Sequence, residues 1–403
     1  PWPSGAAAAS PERQIRRLEA EVTGLEVGRR RALPGLGLEV WEVRRCRRAA
    51  GGGAADAAED ALPELRRRLR GEFEVLELDR RAGPPAQPAA LSTPPPRSTV
   101  ASGAGVGETV DGDAGSGSRI GTDGAADGAA DGAAGAAGAS GGGRRLQTAD
   151  PLWSDQWSLR HVRADAAWQR LEARVAAMGG AQPRPVLVAV LDTGLDLDHE
   201  DLRASIWTND AEVPGNGIDD DGNGYVDDVH GVDFADGDGD PSDDLGHGTQ
   251  LASIIAAGAL NGVGIRGLAG TPAASVRILP LRVWTASGGY SGDAVLAVDY
   301  AVRAGAEVLV SGWSGWDESE ALQEAIRAAR EQGVVFVAGA GSGSDGVGRN
   351  LSVEPDYPCS YSHVLCVAAT GMDDGLTADS NFGAAVVRLA APGTDVRAAN
   401  PAE

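Results

Sequence analysis

Pro185-Val186-Leu187-Val188-Ala189-Val190-Leu191 runs without interruption into Asp192-Thr193-Gly194, and 55 residues after Asp192 the chain reads Gly246-His247-Gly248-Thr249 ahead of an Ala-, Leu- and Ile-rich stretch. A short apolar run rich in β-branched residues and closed by a turn signal predicts a strand buried on both faces. The second stretch predicts a helix with an imidazole at its N-terminus. Further strand patterns follow at Val276-Arg277-Ile278-Leu279-Pro280-Leu281 and Ala306-Glu307-Val308-Leu309-Val310, separated by helical patterns over 293–303 and 319–331. That alternation predicts an α/β fold: a doubly wound parallel sheet with helices on both faces. In such sheets ligands meet the carboxyl ends of the strands, where Asp192 stands.

A carboxylate that orients a histidine, which in turn deprotonates a hydroxyl, is the logic of serine hydrolases, and Asp, His, Ser is one of its known chain orders. Further landmarks stand in sequence around the two motifs. They are Asp150-Pro151-Leu152-Trp153, Gln156-Trp157-Ser158-Leu159, Gly333-Val334-Val335-Phe336-Val337-Ala338, Tyr357-Pro358, Val367-Ala368-Ala369-Thr370, Asn381-Phe382-Gly383 and Ala391-Pro392-Gly393-Thr394. On these residues the chain, from Asp150 onward, resembles the subtilisin-like serine proteases.

The resemblance implies a serine endopeptidase acting on polypeptides through an acyl-enzyme, with Asp192 orienting His247 and His247 as general base and then acid. The family's Gly-Thr-Ser-Met-Ala segment, which carries the nucleophile, is expected beyond residue 403. Its oxyanion-hole Asn corresponds to Ser342, whose hydroxyl reaches less far. Its Ser-Leu-Gly segment, which lines the substrate pocket, corresponds to Gly312, Trp313 and Ser314, with Trp313 and Trp316 either walling that pocket or packing against the helix that follows. Gln250 replaces a second histidine of the helix. The departures at Ser342 and Gly312 keep a rival reading open, a pseudoprotease that binds peptides without cutting them.

Calcium is the cofactor that the residues themselves suggest. Asp219-Asp220-Asp221-Gly222-Asn223-Gly224-Tyr225-Val226-Asp227-Asp228 places side-chain oxygens at alternate positions before a sharp Gly turn, as the first half of an EF-hand loop does. The expected ligands are Asp219, Asp221, Asn223, the Tyr225 carbonyl and Asp227 or Asp228. Asp236-Gly237-Asp238-Gly239-Asp240 is a weaker candidate of the same kind. Asp201 matches a family calcium ligand, although its partner loop, Leu260-Asn261-Gly262-Val263-Gly264, is one residue short. A calcium-dependent scaffold or adhesion protein would also explain such loops, but not the ordered catalytic motifs.

The chain has 403 residues, room for two or three domains. Its 58 acidic residues against 35 basic ones give a net charge of −23, which argues against nucleic acid and anionic membranes as partners. All 35 cations are Arg. No apolar run reaches the roughly 18 residues of a membrane span. Residues 12–82 mix charge with short apolar runs: alternation over Leu36–Val43, a helical pattern over Leu62–Leu69, and alternation again over Phe73–Leu78. Ahead of a subtilisin-like domain, this order resembles the family's inhibitory propeptide. Residues 83–147, with Pro94-Pro95-Pro96 and Gly/Ala/Asp repeats, read as a disordered linker. Residues 148–403 form the remaining, catalytic-type domain. Cys359 and Cys366 read as two buried thiols, or as a pair in an oxidising compartment, and Asn350-Leu351-Ser352 is a glycosylation sequon. The family resemblance implies a secreted or secretory-pathway protein.

Overall fold

The computed structural model describes residues 25–36, 38–45, 81–82 and 150–401, except 272–274, 316 and 344. All of them belong to one unit of the chain, residues 1–91 with 147–403. In chain order the strands are β1 (Leu25–Leu33), β2 (Leu38–Arg45), β3 (Arg81–Ala82), β4 (Val186–Asp192), β5 (Val232–Asp233), β6 (Val276–Arg282), β7 (Trp284–Thr285), β8 (Gly288–Tyr290), β9 (Val308–Ser311), β10 (Val335–Gly339), β11 (Val364–Thr370) and β12 (Leu389–Pro392). The helices are α1 (Trp157–His161), α2 (Ala164–Ala177), α3 (His247–Ala256), α4 (Ser291–Arg303) and α5 (Glu320–Glu331).

Because side chains alternate across a strand, the unbroken apolar run of β4 feeds two cores at once. Leu187, Ala189 and Leu191 join the larger cluster, with Val298 and Ala301 of α4 and Leu322 and Ile326 of α5. Val188 and Val190 join the other, with Ala252 and Ala256 of α3, Leu195, Leu202 and Ile278. A strand sandwiched this way must be central, and β4 is: the seven-stranded sheet runs β12-β11-β10-β9-β4-β6-β5. Every neighbouring pair is parallel. After β4 the chain builds β5 and β6 on one side, then crosses to build β9 through β12 on the other. The order therefore reverses beside β4, which opens a crevice at its carboxyl end.

The expected strands and helices recur with ends shifted by one to three residues. Ser319 caps α5, its hydroxyl accepting the N–H of Leu322 at 3.1 Å. In the N-terminal region the alternation near residue 40 is β2, which pairs antiparallel with β1. The turn between them docks on the large domain: Leu33 and Leu36 are buried in the larger core, and Leu36 N–H donates to Asp299 of α4 at 3.1 Å. The Gln332 amide also donates to the Gly35 carbonyl. β3 pairs antiparallel with β8, the strand that leads into α4. The expected helix over 62–69, the strand over 73–78 and the linker over 83–147 lie outside the described residues.

Two links fasten the far side. Cys359 and Cys366 form a disulfide with Cα atoms 4.9 Å apart, so the reading as free buried thiols is corrected: the seven-residue spacing closes a turn that brings both onto one spot beside β10 and β11. The segment after β12 returns over α1 and α3. Trp157 Nε1 donates to the Thr394 carbonyl at 3.0 Å, Ala399 N–H to Ser253 Oγ at 2.9 Å and Gln250 Nε2 to Asn400 Oδ1 at 2.8 Å.

Leu279 of β6 is fully buried in the larger core. Leu279→Ala is expected to cost about 2–5 kcal/mol, measured by denaturant unfolding.

Candidate active site

The site starts from a backbone approach. Gly248, in the first turn of α3, lies against the chain just past β4: a Cβ there would fall 2.1 Å from the Gly194 carbonyl oxygen. Only glycine permits this contact, and it sets the helix N-terminus against the end of the strand. His247 Nδ1 then lies 2.6 Å from Asp192 Oδ1. Thr193 N–H donates to the same oxygen at 2.9 Å. Asp192 is buried, 1% exposed, whereas the imidazole keeps an exposed edge. Burial alone would push the His247 pKa down, but the hydrogen bond and charge of Asp192, with Asp243 adding to them, hold it above the ordinary histidine value. The pair accordingly stabilises the fold most fully below the ordinary imidazole pKa, and that contribution fades as pH rises through the raised value.

Asp243 is the residue that the sequence reading missed. One of its oxygens accepts the N–H groups of Gly246 and Leu245 and the Thr193 hydroxyl, at 2.7, 3.0 and 2.8 Å. The other accepts Thr249 N–H and hydroxyl, at 2.9 and 2.6 Å. Thr193 Oγ1 in turn accepts Gly248 N–H at 2.9 Å. One carboxylate thus ties the Asp motif, the His motif and the donors at the start of α3 into a single network. Burial disfavours its charge, but these donors outweigh it and hold its pKa below the usual carboxylate range. An acidic residue just before a helical pattern was the available signal.

Gly312 lies past β9 and touches the pair directly: a Cβ there would be 2.7 Å from His247 Cε1 and 2.9 Å from Asp192 Oδ2. Trp313, expected to line a substrate pocket, is instead a core residue. Its ring stacks on Trp284 with centroids 5.6 Å apart, and its Nε1 donates to the Leu191 carbonyl at 2.9 Å. The larger apolar surface went inward because β7 offers it an aromatic face. Trp316 lies outside the described residues. The Ser314 hydroxyl donates to Asp356, a buried carboxylate that also holds Arg349 at 2.8 Å. Ser342 follows β10, two strands from β4, in an antiparallel bridge with Ser380.

The acidic loop gathers differently from the expectation. Asp219 and Asp221 come together with Glu212, which the sequence reading missed, their ligand oxygens all within 4.8 Å of one another. Glu212 Oε1 accepts the N–H groups of Asp220 and Asp221 at 2.9 and 3.2 Å, while the buried Oε2 has no partner. Three clustered carboxylates with an orphaned buried oxygen fit a hard divalent cation with oxygen ligands. Asn223 and Asp228 are spent on the loop itself: Asn223 Nδ2 donates to both Asp221 and Asp228, and Asp228 also takes the Tyr300 hydroxyl. The Tyr225 ring packs edge-on against Phe234 and Tyr300.

Asp201 sits among hydrogen-bond donors. Its oxygens accept Asn261 Nδ2, Gly258 N–H and Ile265 N–H at 2.7, 3.1 and 3.0 Å, and Asp150 accepts Leu260 and Asn261 N–H, both at 3.0 Å. The short loop brings peptide donors to the carboxylates where a cation was expected. In the 236–240 loop, Asp236 is drawn to the buried Arg282 at 2.7 Å, and among the described residues no three-ligand group forms there.

Asp243→Ala should loosen the start of α3, lowering stability by about 2–3 kcal/mol in denaturant unfolding and broadening the low-field Nδ1 proton signal of His247 in NMR spectra.

Residues 184–402, more than half of the chain, match the model of the subtilase family, Peptidase S8. Over 254 residues the chain is 32% identical to thermitase of Thermoactinomyces vulgaris, covering 62% of this chain and 75% of that protein. Over 262 residues it is 30% identical to subtilisin-like protease 1 of Plasmodium vivax, covering 61% of this chain but only 40% of that relative's length. A solved epidermin leader peptide processing serine protease of Staphylococcus aureus shares 24% identity over 51% of this chain and 52% of its own, with a TM-score of 0.39. The family match and the thermitase-like identity agree with the parallel sheet and the paired Asp192 and His247: the chain belongs to the subtilase family.

Proposed function

We propose that this protein is a calcium-stabilised serine endopeptidase, exported and made as a zymogen. The observation that carries the reading is the 2.6 Å contact between His247 Nδ1 and buried Asp192 at the switch point of the sheet. With Nδ1–H given to the carboxylate, Nε2 is the basic nitrogen, free to take a hydroxyl proton and return it to a leaving amine. The hydroxyl belongs to the serine that the family places after the Ala391-Pro392-Gly393 segment. Attack by that oxygen on a peptide carbonyl gives an acyl-enzyme, which water then hydrolyses. Glu212, Asp219 and Asp221 would hold the calcium ion, which supplies the positive charge their loop needs to stay folded.

The N-terminal residues act as the propeptide. Support comes from the turn of the β1–β2 hairpin seated on α4 and α5, and from β3 laid along β8 at the edge of the crevice. Export is supported by the Cys359–Cys366 disulfide, a bond that persists in oxidising compartments. No helix among the described residues is long and apolar enough to cross a membrane.

A pseudoprotease is the second reading, favoured by Ser342 at the oxyanion position, where one missing donor costs on the order of 3 kcal/mol of transition-state stabilisation. Labelling of the full natural product with a fluorophosphonate probe separates the two: it should label, and His247→Ala should slow labelling by at least about 100-fold. A folded, calcium-loaded product that does not label would be a pseudoprotease.

Calcium should raise the unfolding temperature of the chain, a chelator should reverse the gain, and Glu212→Gln should weaken the response. At calcium about 100-fold above its dissociation constant the stabilisation is about 2.7 kcal/mol, read by differential scanning calorimetry.

A further inference from the structure

Asp192 is held unevenly. Oδ1 takes both the imidazole and the Thr193 amide, whereas Oδ2 is buried and receives no hydrogen bond. Gly312 lies beside Oδ2 and has no side chain to offer. A Cβ on Gly312 would lie 2.9 Å from Oδ2, so a hydroxyl one bond further on would be within hydrogen-bonding reach once the Leu251 side chain and the imidazole edge give way. We infer that Gly312 is a positioning residue: by withholding a donor from Asp192 Oδ2, it leaves the carboxylate charge directed at the imidazole and tightens the grip of Asp192 on His247. The inference rests on reading Asp192 and His247 as an acid–base pair, but its test does not require peptidase activity.

A hydrogen bond to a carboxylate spreads its charge and weakens its hold on a neighbouring cation. Other charges around the pair leave this effect legible. Asp243, on the loop before α3, adds a second negative charge toward His247. Arg282, the register partner of Asp192 on β6, is engaged by Asp233, Asp236 and Asp244. Leu251 of α3, whose Cδ1 would lie 2.4 Å from a Cβ on Gly312, brings no charge to this spot. The competing explanation is steric: Gly312 could be needed only to admit the ring and Leu251 Cδ1, which would lie 2.4 Å from an added Cβ. Alanine adds the bulk without the donor, so the two explanations separate.

The experiment is an NMR titration of His247 in the 403-residue chain. The wild-type midpoint should lie above the ordinary imidazole value; a midpoint at or below it overturns the inference. Gly312→Ser should lower the midpoint by about one pH unit and move the Nδ1 proton upfield, while Gly312→Ala should move the midpoint by less than half as much. Should Gly312→Ser not fold, the pair Gly312→Ser with Leu251→Ala removes the closest obstructing atom and takes its place, with Leu251→Ala alone as reference. A folded serine variant with an unchanged midpoint, or an alanine variant that shifts as far as serine, overturns it. Failure of fluorophosphonate labelling in the natural product would leave these titrations, and the inference, standing.

Discussion

The site depends on how closely the start of α3 can press against the chain leaving β4. Gly248 meets the Gly194 carbonyl at a distance no side chain would allow, and that approach places the imidazole on the carboxylate. Asp192 ends β4 on the face where Val188 and Val190 point, and α3, which carries His247, packs on that face against Val188, Val190 and Ile278. Their meeting is therefore held by the smaller core as much as by their own hydrogen bond. A 2.6 Å contact between a buried acid and a largely buried base needs that support, because taking charge out of water is costly.

The chain carries a large excess of carboxylates, and among the described residues three arrangements satisfy them. Asp243 and Asp201 are filled by peptide N–H groups and short side-chain donors. Asp233 and Asp356 are paired with Arg282 and Arg349. Glu212, Asp219 and Asp221 have each other as neighbours, with one buried oxygen left over. Only the third arrangement leaves room for a metal ion. The difference explains why three acidic stretches that look alike on paper do not behave alike: what decides is whether donors from the surrounding fold reach the oxygens first.

Much of this was legible before any coordinates. The apolar run into Asp192 carries its own evidence for a central strand, because nothing polar interrupts it on either face. His247 was legible through its flanking glycines. Glu212 was not, since the fold brings it to Asp219 across an intervening loop that no spacing rule describes. Trp313 stayed open between a pocket wall and a packed residue because sequence order places it beside Gly312 and Ser314, whereas only the fold shows its ring stacked on Trp284. In each case the missing information was a partner supplied by tertiary packing.

The segment that returns over α1 and α3 has a mechanical side. Its bonds to Ser253 and Gln250 grip the same helix whose first residue is His247, and Trp157 anchors it at the other end. Tension applied along residues 394–400 would thus be delivered to the shaft of that helix, and the base at its tip would swing with it.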